Sequence, residues 1–137
     1  MRTETTTAPE AITFERAYPG TIDQPRRVRS DLAEIAAGFP AIGDLLLLVS
    51  ELATNAILHS QSGHPDREFT VRATFYPGDY AWVEVIDAGG AWRRDEHDEE
   101  HGRGLAVVSA IAGADNWGID GDASSRVAWF RLEWDQT

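Results

Sequence analysis

The sequence predicts an α+β fold, a two-layer sandwich in which one mostly antiparallel β-sheet carries helices on one face. Two observations predict it. Five short stretches have the alternating pattern of strands, and three have the apolar spacing of helices. Their order is strand, helix, helix, two strands, loop, helix, two strands. Because strands follow one another in pairs, an antiparallel sheet with segregated helices is favoured.

The first half of the chain contains one predicted strand and two predicted helices. Alternating residues predict the strand over residues 12–18, and a Pro-Gly turn ends it. An amphipathic pattern predicts a helix over residues 25–39, with Pro25 suited to its first turn. Residues 42–59 predict a second helix that is apolar almost all round, so we expect it to be buried on most sides.

The second half contains four predicted strands and one short helix. The strands are predicted over residues 69–76, 80–87, 115–120 and 125–134. A Pro-Gly-Asp turn joins the first two of them into a hairpin. Residues 88–104 are rich in glycine and charge and predict a loop. Residues 105–112 predict a short apolar helix that is entered through glycines.

The composition excludes several kinds of chemistry. All twelve basic residues are arginine, and the sequence has neither lysine nor cysteine. A phosphate-binding P-loop and the common protein-kinase fold each need a lysine on the phosphates, so both are excluded. Schiff-base catalysis, thiol nucleophiles, disulfides and thiolate metal sites are excluded in the same way. Any nucleotide chemistry must therefore work without lysine.

The length and the charge of the sequence limit the number of domains and the kinds of binding partner. We expect a flexible tail over residues 1–10 and a single domain over residues 11–137. The formal net charge of −11 argues against direct binding to nucleic acid or to an anionic membrane. The sequence has no apolar stretch long enough to predict a membrane span and no secretory pattern at its start. With no cysteine, a cytoplasmic location is the expectation.

Three polar side chains form a stripe on the otherwise apolar second helix. Glu51, Asn55 and His59 are spaced four residues apart and therefore share one helical face. That face could simply be the one exposed to solvent. Alternatively, the carboxylate and the carboxamide could offer oxygen ligands to a hard cation such as Mg²⁺, or the carboxylate could activate an attacking hydroxyl. The spacing alone leaves these alternatives open.

Two glycine-containing segments flank the predicted loop. Residues 87–90 (Asp-Ala-Gly-Gly) place a carboxylate at a strand end, where it could accept from a ligand amine; a plain strand-ending turn is the alternative. Residues 102–105 (Gly-Arg-Gly-Leu) open the short helix, where backbone N–H groups and the helix dipole favour phosphate. A flexible hinge is the alternative for this second segment.

These segments, in this order, resemble the motifs of the GHKL ATPase and kinase superfamily. They are residues 51–56 (Glu-Leu-Ala-Thr-Asn-Ala), residues 87–90 and residues 102–105. Within the superfamily, the chain most resembles the small stand-alone anti-sigma-factor kinases and related bacterial ATP-binding regulators, over residues 14–133. The resemblance implies the ATP-binding fold of that superfamily, the Bergerat fold.

The resemblance implies a role for each matching residue. Asn55 would hold the Mg²⁺ that bridges the ATP phosphates, and Glu51 would be the base that activates a serine or threonine hydroxyl of a protein substrate. Asp87 would accept a hydrogen bond from the adenine amino group, and Gly89 would leave room for the base. Residues 125–126 (Ser-Arg) stand where relatives often carry Gly-Lys or Gly-Thr, so no adenine-side hydroxyl is assigned there.

The resemblance also implies how the phosphates are held. Residues 90–101 would form a lid over the nucleotide, and Gly102 and Gly104 would let the backbone wrap the phosphates, with Leu105 completing the motif. Because lysine is missing, Arg103 is the best candidate for a side-chain charge on the phosphates. The lid adds two further candidates, Arg93 and Arg94.

The first functional hypothesis is an ATP- and Mg²⁺-dependent serine/threonine kinase of the anti-sigma-factor type, which acts in transcription regulation. Its protein partners would be an anti-sigma antagonist and, as a further candidate, a sigma factor; a homodimer is also considered. The alternative is a non-catalytic ATP-sensing module that regulates a protein partner. Glu51 favours the kinase, because binding ATP needs no base. A third hypothesis is the catalytic domain of a histidine kinase, detached from its receptor. The sequence is too short to contain the dimerisation and phosphoacceptor domain of such a kinase as well.

Overall fold

The computed structural model describes residues 10–59, 67–88, 99–121 and 125–134. Within them the chain forms five strands and three helices, which confirms the predicted α+β fold. In chain order they are β1 (Ile12–Pro19), α1 (Gln24–Ile35), α2 (Ile42–His59), β2 (Glu68–Tyr76), β3 (Tyr80–Asp87), α3 (Glu99–Ala112), β4 (Trp117–Gly121) and β5 (Arg126–Glu133).

The strands form one sheet in the order β1-β2-β3-β5-β4, and every neighbouring pair is antiparallel. Strands β3 and β4 both pair with β5, so they run in the same direction. The chain between them, which includes α3, therefore crosses over β5. This crossover brings the end of β3 next to the start of β5, although many residues separate them in sequence.

The core lies between the three helices and one face of the sheet, which we call the inner face. Strands β2 and β3 alternate buried and more exposed residues along their whole length, as a sheet with one covered face requires. The large apolar side chains from both layers are almost fully buried: Tyr18, Leu32, Phe39, Leu45, Leu48, Leu52, Phe69, Phe75, Phe130 and Leu132. No helix in the described ranges is long and apolar enough to cross a bilayer.

The first helix ends earlier than its apolar pattern predicts. Helix α1 stops at Ile35, and a turn follows in which the Phe39 amide donates to the carbonyl of Ala36. Pro40 disfavours helical backbone at Phe39, and Gly38 is a poor helix former, so the sequence weakens the last turn of the predicted helix. Phe39 still reaches the core, because its ring packs edge-on against Phe75 and Trp134 at centroid distances of 6.2 and 5.0 Å.

The third helix begins earlier than predicted. The structure places its start at Glu99, so residues 99–104 are helical, whereas the sequence predicted a loop up to residue 104. Glycine disfavours a helix interior by about 1 kcal/mol relative to alanine, and two glycines suggested a later start. The apolar pattern that follows stabilises the helix through packing, and Leu105 and Val108 are buried in the core.

Candidate functional site

A cavity opens on the inner face of the sheet where β3 ends and β5 begins. It lies between α2 and the ends of the strands, and residues of α2, β3, β4 and β5 line it. The lining residues are Leu52, Asn55, Ala56, Asp87, Ile119, Arg126 and Ala128. Two of the predicted site residues, Asn55 and Asp87, thus meet in one cavity although they come from different layers.

Asp87 is the last residue of β3 and lies on its inner face. The preceding inner-face residues of the strand, Ala81, Val83 and Val85, belong to the apolar core. Asp87 therefore continues a row of core positions with a carboxylate, and only 7% of the residue is exposed. A carboxylate is costly to bury without partners, so its position requires compensation.

Arg126 supplies an opposite charge to Asp87. It is the first residue of β5 and the register partner of Asp87, so the two side chains lie side by side on the inner face. The guanidinium Nε donates to Asp87 Oδ2 at 3.3 Å, and the exposed fractions of the two side chains are 10% and 6%. The wall of the cavity at this end is therefore a buried ion pair.

Asn55 and Glu51 lie one turn apart on α2, as their spacing predicts. Asn55 lines the cavity, and its amide nitrogen Nδ2 is buried with no hydrogen-bond partner among the described residues. A buried N–H donor without a partner is costly, so this atom is suited to a hydrogen-bond acceptor of a ligand, such as a phosphate oxygen. Glu51 is partly exposed and is not part of the described cavity lining.

The described lining of the cavity offers few ligands to a metal ion. Within the described ranges, no three histidine, aspartate or glutamate side chains converge on a position for a metal ion. Mg²⁺ commonly takes one or two protein ligands and completes its shell with water and phosphate oxygens, so the single amide oxygen of Asn55 fits a nucleotide-bound Mg²⁺.

The second glycine motif lies within α3. Gly89 and the predicted lid up to residue 98, with Arg93 and Arg94, lie outside the described residues. Residues 99–101, which the sequence assigned to the lid, belong to α3 instead. Gly102, Arg103 and Gly104 also lie within α3 and not ahead of it, and Leu105 is buried at 8% exposure. His59 is the last residue of α2, at the end of the polar stripe.

The sequence prediction missed Arg126 as a cavity residue. A usable signal was present: along β5 the inner-face positions are Arg126, Ala128, Phe130 and Leu132, so the alternation places an arginine on the core side. The alternation alone could not identify its partner, because the register between β3 and β5 depends on the crossover.

The fold and this cavity can be compared with known proteins. A family model described as the histidine kinase-like ATPase domain matches residues 18–119, well over half of the chain. The search of curated proteins found no significant match.

Among solved structures, the chain is similar to the crystal structure of the RsbU and RsbW domains of Rv1364c from Mycobacterium tuberculosis. The TM-score is 0.69 and the identity 22%, over 88% of this chain and 32% of that chain. The present chain therefore spans about a third of the length of that protein, and at this identity the likeness shows a shared fold. The family match confirms the predicted GHKL resemblance: the chain belongs to the histidine kinase-like ATPase domain family.

Proposed function

We propose that this chain is an ATP-dependent serine/threonine protein kinase of the anti-sigma-factor type. The observation that carries the proposal is the meeting of Asn55 and Asp87 in one cavity, with Glu51 one helical turn before Asn55. These are the residues whose spacing resembles the GHKL motifs. Membership of the histidine kinase-like ATPase family supports a nucleotide as the ligand of this cavity.

In this proposal the cavity takes the adenine end of the nucleotide at Asp87. Its carboxylate would accept a hydrogen bond from the exocyclic amino group, since an ionised carboxylate is purely an acceptor. Gly89 would leave room for the base beside the strand. The buried position of Asp87 suits this role, because a hydrogen bond to a charged group is strongest where water is excluded.

The phosphates would lie between Asn55 and the start of α3. Asn55 would hold Mg²⁺ through its amide oxygen; when bound, this ion neutralises phosphate charge. The start of α3, which includes Gly102 and Gly104 in its first two turns and is anchored in the core by Leu105, would face the phosphates. Arg103 is our candidate for the phosphate-binding side chain in this lysine-free protein.

The chemical step would use Glu51 as the general base. Glu51 would accept the proton of a serine or threonine hydroxyl while the hydroxyl oxygen bonds to the γ-phosphorus. The bond from that phosphorus to the bridging oxygen breaks, ADP leaves, and the substrate carries the phosphate ester. Because Glu51 is partly exposed, a protein substrate could reach it from solvent.

The proposed protein substrate is an anti-sigma antagonist, with a sigma factor as a second partner and a homodimer as the candidate assembly. These partners follow from the resemblance of residues 51–56, 87–90 and 102–105 to the anti-sigma-factor kinases. The net charge of −11 suits protein partners better than direct contact with nucleic acid.

A second candidate is a non-catalytic ATP-sensing module that regulates a protein partner. One observation favours it: Glu51 is not part of the described cavity lining, whereas Asn55 and Asp87 are. A sensor needs the latter two residues and no base.

Phosphotransfer from labelled ATP separates the two candidates. The parent protein and a Glu51→Ala variant are incubated with labelled ATP, Mg²⁺ and candidate antagonist proteins. Glu34→Ala, which removes an exposed carboxylate on α1, is the matched control. We expect Glu51→Ala to transfer phosphate about 100-fold more slowly or worse while it still binds ATP, and the control to match the parent. Equal labelling by all three proteins contradicts the role of Glu51, and ATP binding without transfer by the parent favours the sensor.

The nucleotide site is tested separately by ATP binding. We expect Asn55→Ala and Asp87→Asn to weaken ATP binding, with circular dichroism used to check that each variant is folded. If both folded variants bind ATP as tightly as the parent, the assignment of the cavity to the nucleotide is wrong.

A further inference from the structure

The strand register fixes the positions of the two residues that form the ion pair in the cavity. Asp87 ends β3 and Arg126 begins β5, and the register places them directly opposite each other. On the other side of Arg126, Gly121 of β4 is its register partner. Gly121 has a φ of 119°, and a Cβ there would lie 2.7 Å from the Arg126 Cα. The backbone of Arg126 is therefore held closely by both neighbouring strands.

The arginine offsets the cost of burying the carboxylate. The Asp87 side chain is 6% exposed, and an isolated carboxylate in such a place is strongly disfavoured. A guanidinium at 3.3 Å, itself 10% exposed, offsets that cost through charge and a directional N–H bond. Because the bond runs from Nε to Oδ2, it also restricts the rotation of the carboxylate about its last torsion.

We propose that Arg126 is a positioning residue for base recognition: it holds the Asp87 carboxylate as an oriented acceptor, so that the cavity selects a purine with an amino group at C6. The inference rests on the proposed function, in which Asp87 faces the base. Arg126 acts through Asp87 and is not itself a catalytic residue.

The selectivity follows from the edge of the base. Adenine presents an N–H donor at C6, which an ionised carboxylate accepts. A 6-oxo purine such as hypoxanthine presents a carbonyl oxygen at the same place, and two facing acceptors repel. Loss of a buried hydrogen-bonding partner typically costs about one to two orders of magnitude in affinity. The orientation of Asp87 is therefore expected to control the ratio of the binding affinities for ATP and inosine triphosphate.

The experiment measures the Kd of ATP and of inosine triphosphate, each with Mg²⁺, by titration calorimetry on the full chain. The variants are Arg126→Met, Arg126→Lys and the neutral double variant Asp87→Asn/Arg126→Gln, each checked for folding. Arg131→Met is the matched control, because Arg131 is on the same strand but points to the opposite face of the sheet.

We expect Arg126→Met to lose about 10- to 100-fold in ATP affinity and to change far less in affinity for inosine triphosphate, so that the preference collapses. Arg126→Lys is expected to restore part of the preference, since it keeps the charge but not the planar N–H geometry. The double variant, whose amide can both donate and accept, is expected to bind the two nucleotides about equally well, which tests the proposal even if Arg126→Met does not fold.

Three results would overturn the inference. The first is an unchanged ratio of the two Kd values in every folded variant. The second is an equal loss of affinity for both nucleotides, which indicates a purely structural role. The third is tighter ATP binding by Arg126→Met, which indicates that Arg126 blocks the carboxylate. If the parent itself binds neither nucleotide, the proposed function fails instead, so the two failures are distinguishable.

Discussion

The two faces of the sheet carry arginine–carboxylate pairs built on the same register but in opposite surroundings. On the outer face, Arg72 lies between its register partners Glu15 and Glu84, with N–O distances of 2.8 and 3.4 Å. On the inner face, Arg126 pairs with Asp87 at 3.3 Å. The Arg72 side chain is 49% exposed and that of Arg126 is 10% exposed. The N–O distance is shorter in the outer pair with Glu15, so distance alone would rank that pair as the stronger one.

The comparison indicates that burial, more than bond length, decides how strongly an ion pair affects the stability of the protein. The outer pairs form in contact with water, which screens their attraction and would solvate either partner alone. The hydrogen bond to Glu15 raises the pKa of Arg72, which keeps an already charged group charged. The two inner side chains are almost fully shielded from water, so removing one of them leaves a buried charge that water cannot solvate. A buried pair in the wall of a cavity is therefore a better indication of function than several surface pairs.

The largest expected effect comes from breaking the inner pair. Arg126→Met removes the guanidinium that lies beside the buried Asp87 carboxylate, and we expect the free energy of unfolding to fall by about 3–5 kcal/mol. The double variant Asp87→Leu/Arg126→Met removes both charges and should recover most of that loss. Urea unfolding of the ligand-free protein measures both. A single variant as stable as the parent would mean that water reaches this end of the cavity.

The next expected effect concerns another polar group on the inner face. Tyr18 of β1 is fully buried, and its hydroxyl donates to Asp31 Oδ2 of α1 at 2.6 Å. Burial, and then the hydrogen bond to Asp31, raises the pKa of Tyr18 well above its ordinary value. The unfolded chain loses this proton near pH 10 and the folded chain keeps it, so the contribution is complete below pH 10 and is lost as the pH rises further.

We expect the free energy of unfolding to fall above about pH 10, by up to about 1.4 kcal/mol per pH unit from this residue. Tyr18→Phe should be less stable at neutral pH but should show a flatter decline between about pH 10 and 12. Tyr76→Phe, which removes a hydroxyl from an exposed tyrosine, is the control. Unfolding curves across this pH range provide the measurement, and parallel declines in Tyr18→Phe and the parent would contradict the assignment.

The sequence could predict the features that depend on local signals, and it missed those that depend on long-range pairing. The bounds of α2 and β3 agree with the prediction, because spacing and alternation are local signals. The placement of Glu51 and Asn55 one helical turn apart was predicted for the same reason, because the spacing of residues on a helix is local. Arg126 was missed as the partner of Asp87 because their pairing depends on the crossover through α3. The start of α3 was missed because glycine propensity is a weak signal that tertiary packing overrides.

The smallest expected effect comes from breaking the outer pairs, and it provides the sharpest control on the comparison. Among the described residues, Arg72→Met removes the ion pairs with Glu15 and Glu84, whereas Arg126→Met removes the pair with Asp87. We nevertheless expect Arg72→Met to change the free energy of unfolding by less than about 1 kcal/mol, because its carboxylates remain hydrated. Added salt should shrink even that difference, whereas the loss in Arg126→Met should persist, since ions screen exposed charges far better than buried ones. If Arg72→Met costs as much as Arg126→Met in urea unfolding with and without salt, exposure is not what separates the two faces.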